Sequence, residues 1–139
     1  MSAFAWALVA AVIWGIVPLI EKIGLSGGDP TVALFARSFG IVAGIVIFGL
    51  IWSPWRGLGQ LNTRSFALLA LSGLLASFLG QLAFYHALRH GPVSQVTPVA
   101  GTYPLVAAVL SWLVLREPVT VPRLLGAGFV VVGALLLRR

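Results

Sequence analysis

Charged and hydrogen-bonding side chains are scarce in this chain, and several lie within or beside long apolar stretches. Of its 139 residues 60% are hydrophobic and 9% are charged, with a formal net charge of +6. Glu21 follows one apolar run and Arg37 lies inside the next, while Gln81 and Tyr85 have the spacing that shares one face of a helix. A charge or an amide that faces lipid costs free energy, so these groups must face protein, water or a ligand. The pattern predicts an ion pair or a polar binding site in a mostly apolar protein.

The same inventory argues against catalysis and metal binding. The sequence has three carboxylates, two histidines and no cysteine. Disulfides and thiolate metal sites are therefore impossible, and no nucleophile–base pair, pair of carboxylates or group of metal ligands stands out. We predict that the protein is not an enzyme, has no catalytic residues and no metal site, and uses no cofactor.

The composition predicts a membrane protein. A soluble domain has roughly 25% charged residues, so 9% leaves too little polar surface for a water-soluble globule. The basic residues stand singly at the ends of apolar runs, as Lys and Arg do beside a bilayer, which argues against a nucleic-acid partner. We expect lipid to surround the protein, in the cell membrane (the inner membrane) of a bacterium or an archaeon.

Five apolar runs are long enough, or nearly so, to cross a bilayer core that takes about 20 helical residues. They cover residues 3–24, 31–52, 66–88, 93–115 and 121–137, with turn residues between them. Lipid offers no partners to backbone groups, and the alternating pattern of barrel strands is absent, so the runs must be helices. The first run lacks a positive leader and is followed by charges, which predicts a retained span. We predict an all-α integral membrane protein with five transmembrane helices in a single domain over residues 1–139.

Prolines interrupt the first and fourth of these runs. Pro18, Pro98 and Pro104 each remove the backbone donor to the carbonyl four residues earlier. Broken helices near the middle of the bilayer are places where transporters expose backbone to substrate, but proline is also common in membrane helices that only pack. Hinges at these prolines and static kinks both remain open interpretations.

Polar and aromatic side chains gather in one half of the predicted spans and suggest a substrate path. Glu21 and Arg37 should lie at comparable depth on neighbouring helices, near one interface. They form either a structural ion pair or a coupled arrangement in which Glu21 holds Arg37 toward substrate. The predicted path is lined by Trp14, Arg37, Gln81, Tyr85, Thr97 and Tyr103.

The order and spacing of several short motifs resembles the EamA family of the drug/metabolite transporter superfamily over nearly the whole chain. In that family an Ala-Leu…Gly hairpin leads into a helix with a mid-membrane proline, followed by a Gly-Glu or similar turn and a Gly-rich last helix. The matching positions are Ala87-Leu88, Gly91, Pro104, Glu117, Gly126 and Gly133, with Trp14-Gly15, Pro18, Lys22 and Arg37 in the first two helices. The chain departs from the pattern at Arg116, where the family more often has Gly.

The resemblance implies one EamA-like repeat unit of a secondary transporter, which moves a small metabolite or drug-like molecule by alternating access. Family members often carry two such units as an inverted repeat, so a homodimer of opposite orientations would supply the missing copy. The alternatives are a small-multidrug-type proton antiporter, a lipid-linked sugar flippase, and a non-transporting structural or regulatory membrane subunit. A different chain could also supply the second half.

Basic residues in the loops predict an antiparallel arrangement of the homodimer. Lys and Arg in short loops set the orientation of a membrane protein. We expect Arg56, Arg64, Arg116 and Arg123 on the amino-terminal side, and Lys22, Arg89, Arg138 and Arg139 on the other. The balance favours neither orientation, which predicts dual topology. One fixed orientation with a parallel dimer is the alternative.

Overall fold

The computed structural model describes residues 2–118 and 120–137, apart from the side chains of residues 56 and 123. Within this part of the chain every regular element is a helix. The α-helices are α1 (Ala3–Leu25), α2 (Pro30–Trp52), α3 (Trp55–Leu58), α4 (Thr63–Gly73), α5 (Gln81–His90), α6 (Val93–Ala100), α7 (Tyr103–Leu110) and α8 (Val121–Leu136). Two π-helical segments, π1 (Leu74–Gly80) and π2 (Ser111–Leu115), continue α4 and α7. Arg138 and Arg139, which enter the predicted charge balance, lie outside the described residues, as do the side chains of Arg56 and Arg123.

Four helical stretches are long and apolar enough to cross a membrane, and a fifth is shorter. The four are Ala3–Leu25, Pro30–Trp52, Thr63–His90 and Val93–Leu115, and the shorter apolar stretch is Leu124–Leu136 in α8. Their large apolar side chains mostly point outward, which suits a lipid environment. The predicted class, an all-helical membrane protein, is confirmed, and the observed bounds differ from the predicted ones by a few residues at most.

The start of α2 follows from its first residues. The Asp29 carboxylate accepts hydrogen bonds from the backbone amides of Thr31 at 2.8 Å and Val32 at 3.3 Å, and so caps the helix. These two bonds hold the pKa of Asp29, which lies in the loop before the span, below its usual range. Pro30 occupies the first turn, where a missing amide costs least.

The end of α2 is closed by a tryptophan from the next turn. Ser53 adopts a left-handed backbone with φ 48° and reverses the chain. The indole of Trp55 then donates to the carbonyl of Gly49 at 3.0 Å. A Cβ atom at position 49 would lie 1.7 Å from the Trp55 ring, so this approach requires glycine.

A second left-handed residue ends π2. Arg116 has φ 54° and ψ 31°, a conformation in which a Cβ atom is crowded by backbone and which favours glycine. The turn is closed by the Ser111 hydroxyl, which donates to the Glu117 carboxylate at 2.5 Å. This backbone conformation gives a physical reason why glycine suits position 116 better than arginine.

The fourth predicted span is interrupted in its middle. α6 ends at Ala100 with Gly101 as its C-cap, and α7 starts after Thr102, whose hydroxyl donates to the carbonyl of Val99 at 2.8 Å. Pro98 lies inside α6, and Pro104 lies in the first turn of α7. The break therefore falls between the two prolines, and movement at this break stays a prediction.

Pro18 does not end its helix. α1 continues through Pro18 as one element to Leu25, so a hinge at this residue also stays a prediction.

Backbone contacts divide the chain into two compact units. One is Glu21–Arg89, which holds the last turn of α1, together with α2 to α5. The other combines the residues before Glu21 with those after Arg89, and in it α6 and α7 pack against α8. The single membrane domain over residues 1–139 stays a prediction.

Candidate functional site

Four polar side chains from three helices meet inside the unit Glu21–Arg89. Glu21 comes from the end of α1, Arg37 from the second turn of α2, and Gln81 and Tyr85 from the start of α5. The Arg37 Nε lies 3.4 Å from the Glu21 Oε1. Gln81 Nε2 donates to the same oxygen at 2.8 Å, and the Tyr85 hydroxyl donates to it at 3.1 Å. We call these four residues the Glu21 cluster.

The Glu21 carboxylate is enclosed by its partners. Its side chain is 8% exposed, and Tyr85 is 3% exposed. Removing an ionised carboxylate from water costs several kcal/mol, whereas each hydrogen bond to a charged group returns roughly 1.5–3 kcal/mol. Three donors therefore offset much of the cost of burial and fix the position of the carboxylate.

The bonding within the cluster is uneven. Two hydrogen bonds, from Gln81 and Tyr85, and the ion pair with the Arg37 Nε all converge on the Glu21 Oε1. The Arg37 Nη1 is buried and has no acceptor in the described part of the chain. The Arg37 side chain as a whole is 30% exposed, although its Nη1 is buried. The cluster holds one end of the guanidinium and leaves the other without a partner.

The π1 segment sets the helix faces on either side of it. A π-helix has more residues per turn than an α-helix, so seven π-helical residues shift the phase of α5 relative to α4. Gln81 begins α5 directly after this segment, and both Gln81 and Tyr85 reach Glu21. π-Helical turns inside α-helices often occur at functional sites, and this one adjoins the cluster.

Lys22, next to Glu21 in α1, caps the carboxyl-terminal end of α5. Its Nζ donates to the backbone carbonyl of Leu88 in α5. That carbonyl would receive the amide of residue 92 in a continuing helix, but Pro92 has no N–H. A Lys side chain near a helix C-terminus satisfies such an orphan carbonyl and suits the helix dipole. From the sequence, Lys22 was placed among the basic residues at the ends of spans; Pro92, four residues after Leu88, was the signal that could have revealed this contact.

A second ion pair lies at the surface of this unit. The Arg89 Nη1 and the Asp29 Oδ2 are 4.0 Å apart, and both side chains are about half exposed. Exposed pairs at such distances contribute little to stability. This pair provides a control for the Glu21 cluster, because it also joins an arginine to a carboxylate but at an exposed position.

The other predicted path residues belong to the second unit. Trp14 and Tyr103 are 63% and 58% exposed. The Thr97 Oγ1 is buried without a hydrogen-bond partner among the described residues. Of the six predicted residues, the structure thus brings together Arg37, Gln81 and Tyr85, around Glu21.

The chemistry of the cluster suits the binding of a polar ligand. Among the described residues no group of three or more His, Asp or Glu side chains could hold a metal ion. The cluster contains one carboxylate, one guanidinium, one amide and one phenol, which together recognise polar ligands through charge and hydrogen bonds.

Comparison with known proteins identifies relatives of two lengths. The profile of the EamA-like transporter family matches residues 1–139. An uncharacterised transporter encoded in the cobO 3′ region of a Sinorhizobium species is 29% identical, with 95% of this chain and 93% of that protein covered. An uncharacterised protein of Methanocaldococcus jannaschii is 26% identical, with coverage of 98% and 96%.

A longer relative matches over part of its length. An uncharacterised protein of Pseudomonas aeruginosa is 33% identical to this chain. The match includes 94% of this chain but only 43% of the longer protein. No solved structure shows a significant match to the chain.

Proposed function

We propose that this chain, which belongs to the EamA-like transporter family, is one half of a secondary transporter that moves a small polar metabolite across the cell membrane by alternating access. The protein is a multi-pass membrane protein, with four long apolar helices and a shorter fifth. The proposal concerns the mechanism, the substrate site and the assembly of the working unit.

The observation that carries the proposal is the partly buried Glu21–Arg37 pair, in which the Arg37 Nη1 has no acceptor among the described residues. Ionisable residues within membrane helices are rare and costly, and they commonly mark substrate or ion pathways. A purely structural pair would be expected to satisfy both partners, because an unpaired buried donor costs roughly 1–3 kcal/mol. Arg37 Nη1 has no acceptor among the described residues. The substrate would supply the acceptor.

The proposed working unit is an antiparallel homodimer. Some relatives have about this length, and others are more than twice as long. Both lengths are expected if a single five-helix unit can form half of a transporter. Inverted repeats place equivalent helices on both sides of a central site, and a second copy in the opposite orientation would do the same. The glycine faces Gly40/Gly44 and Gly126/Gly133 have open space around them in the single chain, so they are available for close helix contact.

A flux assay tests the transport proposal. Purified protein in proteoliposomes is offered labelled amino acids, organic acids, sugar phosphates, nucleobases, polyamines and cationic drugs. We expect wild-type protein and Arg89→Gln to carry at least one class, and Arg37→Gln to lose it. Absence of flux for every class, with folded protein in both orientations, would contradict the proposal and favour a non-transporting subunit.

Dual topology has a separate test because the native sequence lacks cysteine. Gly59 lies in an exposed loop with open space around it, so Gly59→Cys should be tolerated. An impermeant maleimide should label part of the population in intact cells and the rest after lysis. Labelling that is complete or absent in intact cells contradicts an antiparallel dimer, whatever the flux assay gives.

A further inference from the structure

The Glu21 cluster itself has no net formal charge, and Lys22 beside it adds a positive charge. Glu21 contributes one negative charge, Arg37 contributes one positive charge, and Lys22, next in the chain, contributes another at the end of α5. Asp29 and Arg89 form their own pair at the surface and balance each other. Within the unit Glu21–Arg89, the charged groups at the cluster therefore sum to a net positive charge. A site that recognised organic cations would need the opposite balance.

The Arg37 Nη1, which has no acceptor among the described residues, also favours an anionic ligand. Guanidinium nitrogens only donate hydrogen bonds, so Arg37 Nη1 can be satisfied by an acceptor and never by an ammonium group. The planar fork of Arg matches the paired oxygens of a carboxylate or a phosphate group. Glu21 contacts this group through Nε at 3.4 Å, a distance that is long for a hydrogen bond, and does not engage Nη1.

Gln81 and Tyr85 explain why the Glu21 carboxylate does not also accept a hydrogen bond from the Arg37 Nη1. Both donate to Glu21 Oε1, at 2.8 Å and 3.1 Å, and so hold the carboxylate in place. The carboxylate is thereby kept on the Nε side of Arg37. The cluster orients an arginine without neutralising all of it.

From these contacts we infer that Arg37 binds the carboxylate or phosphate group of the transported molecule, so that the substrate class is small organic anions. This inference rests on the proposed transport function and deepens it. Glu21 acts as a positioning residue that also competes with the ligand anion for the guanidinium. The anionic group can belong to a soluble metabolite or to the headgroup of an anionic lipid, and the two sources are separable by experiment.

The inference predicts effects of opposite sign for the two members of the ion pair. Arg37→Gln removes the donor fork and should weaken anion binding by roughly tenfold or more. Glu21→Gln removes the competing anion but keeps a side chain that can hydrogen-bond, so it should strengthen anion binding. A cation site would respond in the reverse manner, because Glu21 would then be the ligand.

Equilibrium binding to the full chain in nanodiscs tests the inference. The probes are succinate, glycerol 3-phosphate and inorganic phosphate as anions, with tetraphenylphosphonium as the cation, in discs of phosphatidylcholine. Titration calorimetry and the ligand-induced shift of Tm give affinities for wild type, Arg37→Gln, Glu21→Gln and Arg89→Gln. The last is the matched control, since it removes one arginine charge at an exposed position.

The expected result is anion binding that falls in Arg37→Gln, rises in Glu21→Gln and is unchanged in Arg89→Gln. If Arg37→Gln does not fold, the rise in Glu21→Gln still decides the question. A parallel set of mixed phosphatidylcholine–phosphatidylglycerol discs identifies the source. Stabilisation that depends on Arg37 and appears only with phosphatidylglycerol assigns the anion to a lipid headgroup.

Two outcomes overturn the inference. One is binding of tetraphenylphosphonium that Glu21→Gln abolishes, with no response to any anion. The other is no response to any anion probe in either type of disc. Both leave the proposed transport function to the flux assay, in which a cation or an uncharged substrate could still be carried.

Discussion

The left-handed backbone at Arg116 gives a sharp prediction for stability. A residue with a Cβ atom in this region costs about 1–2 kcal/mol relative to a right-handed conformation, and Arg116 lies there with φ 54° and ψ 31°. Glycine avoids that cost, but its unfolded chain has more conformational freedom to lose. This difference lowers the free energy of unfolding by about 0.4–1 kcal/mol. The net expectation for Arg116→Gly is a gain of roughly 0.5–1 kcal/mol in the free energy of unfolding.

The control for this prediction separates backbone from side chain. Arg116→Ala removes the charge and the long side chain but keeps the Cβ atom, so it should bring no gain. Ser53→Gly should give a gain like that of Arg116→Gly, because Ser53 has φ 48° at the end of α2. Unfolding is followed by the loss of helical circular dichroism as a denaturing detergent is titrated into mixed micelles. Equal gains for Arg116→Ala and Arg116→Gly would refute the backbone argument and point to the arginine side chain.

Three further changes test other contacts by the same unfolding measurement. Gly49→Ala should destabilise by about 1–3 kcal/mol, because the new Cβ would lie 1.7 Å from the Trp55 ring; Gly57→Ala has open space and serves as control. Lys22→Met should cost about 1 kcal/mol or more by orphaning the Leu88 carbonyl, while Lys22→Arg should cost less; equal losses would contradict the capping role. Folding lowers the pKa of Asp29 below 3.8, its value in the unfolded chain. The contribution of the Asp29 carboxylate to stability is therefore complete above pH 3.8 and is lost as the pH falls through the folded-state pKa. Asp29→Asn keeps a capping side chain but should remove this part of the acid dependence.

The sequence predicted the helices well because lipid imposes simple rules. Apolar runs long enough to span, separated by Gly, Pro and Asp residues, left little choice in where α1 and α2 begin and end. Asp29, directly before Pro30, is also a typical residue and position for a helix cap, and it caps α2 in the structure.

The π-helical segments were beyond sequence reasoning. Nothing in the composition of π1 or π2 separates it from an α-helix, since both are ordinary apolar stretches. Their effect on register decides which side chains of α5 face Glu21, so a simple helical stripe on the third span was an incomplete guide.

The sequence predicted a Glu21–Arg37 pair but not its hydrogen bonds with Gln81 and Tyr85. A charge in an apolar helix needs a partner, and this rule brought Glu21 and Arg37 together from sequence. That all three donors would converge on Oε1 depends on side-chain positions set by packing, for which the sequence contains no pattern. The Lys22 contact was missed because it involves a backbone carbonyl of another helix.

The most direct test of the central claim, that Arg37 in the Glu21 cluster binds substrate, is a double-mutant cycle with two measurements on each protein. Flux in proteoliposomes and the free energy of unfolding are measured for wild type, Glu21→Gln, Arg37→Gln and the double variant. We predict that the double variant recovers stability relative to Arg37→Gln, since two neutral amides can pair, yet carries no substrate because the guanidinium is gone. Wild-type flux in the double variant would contradict the claim and reduce the Glu21–Arg37 pair to a structural contact.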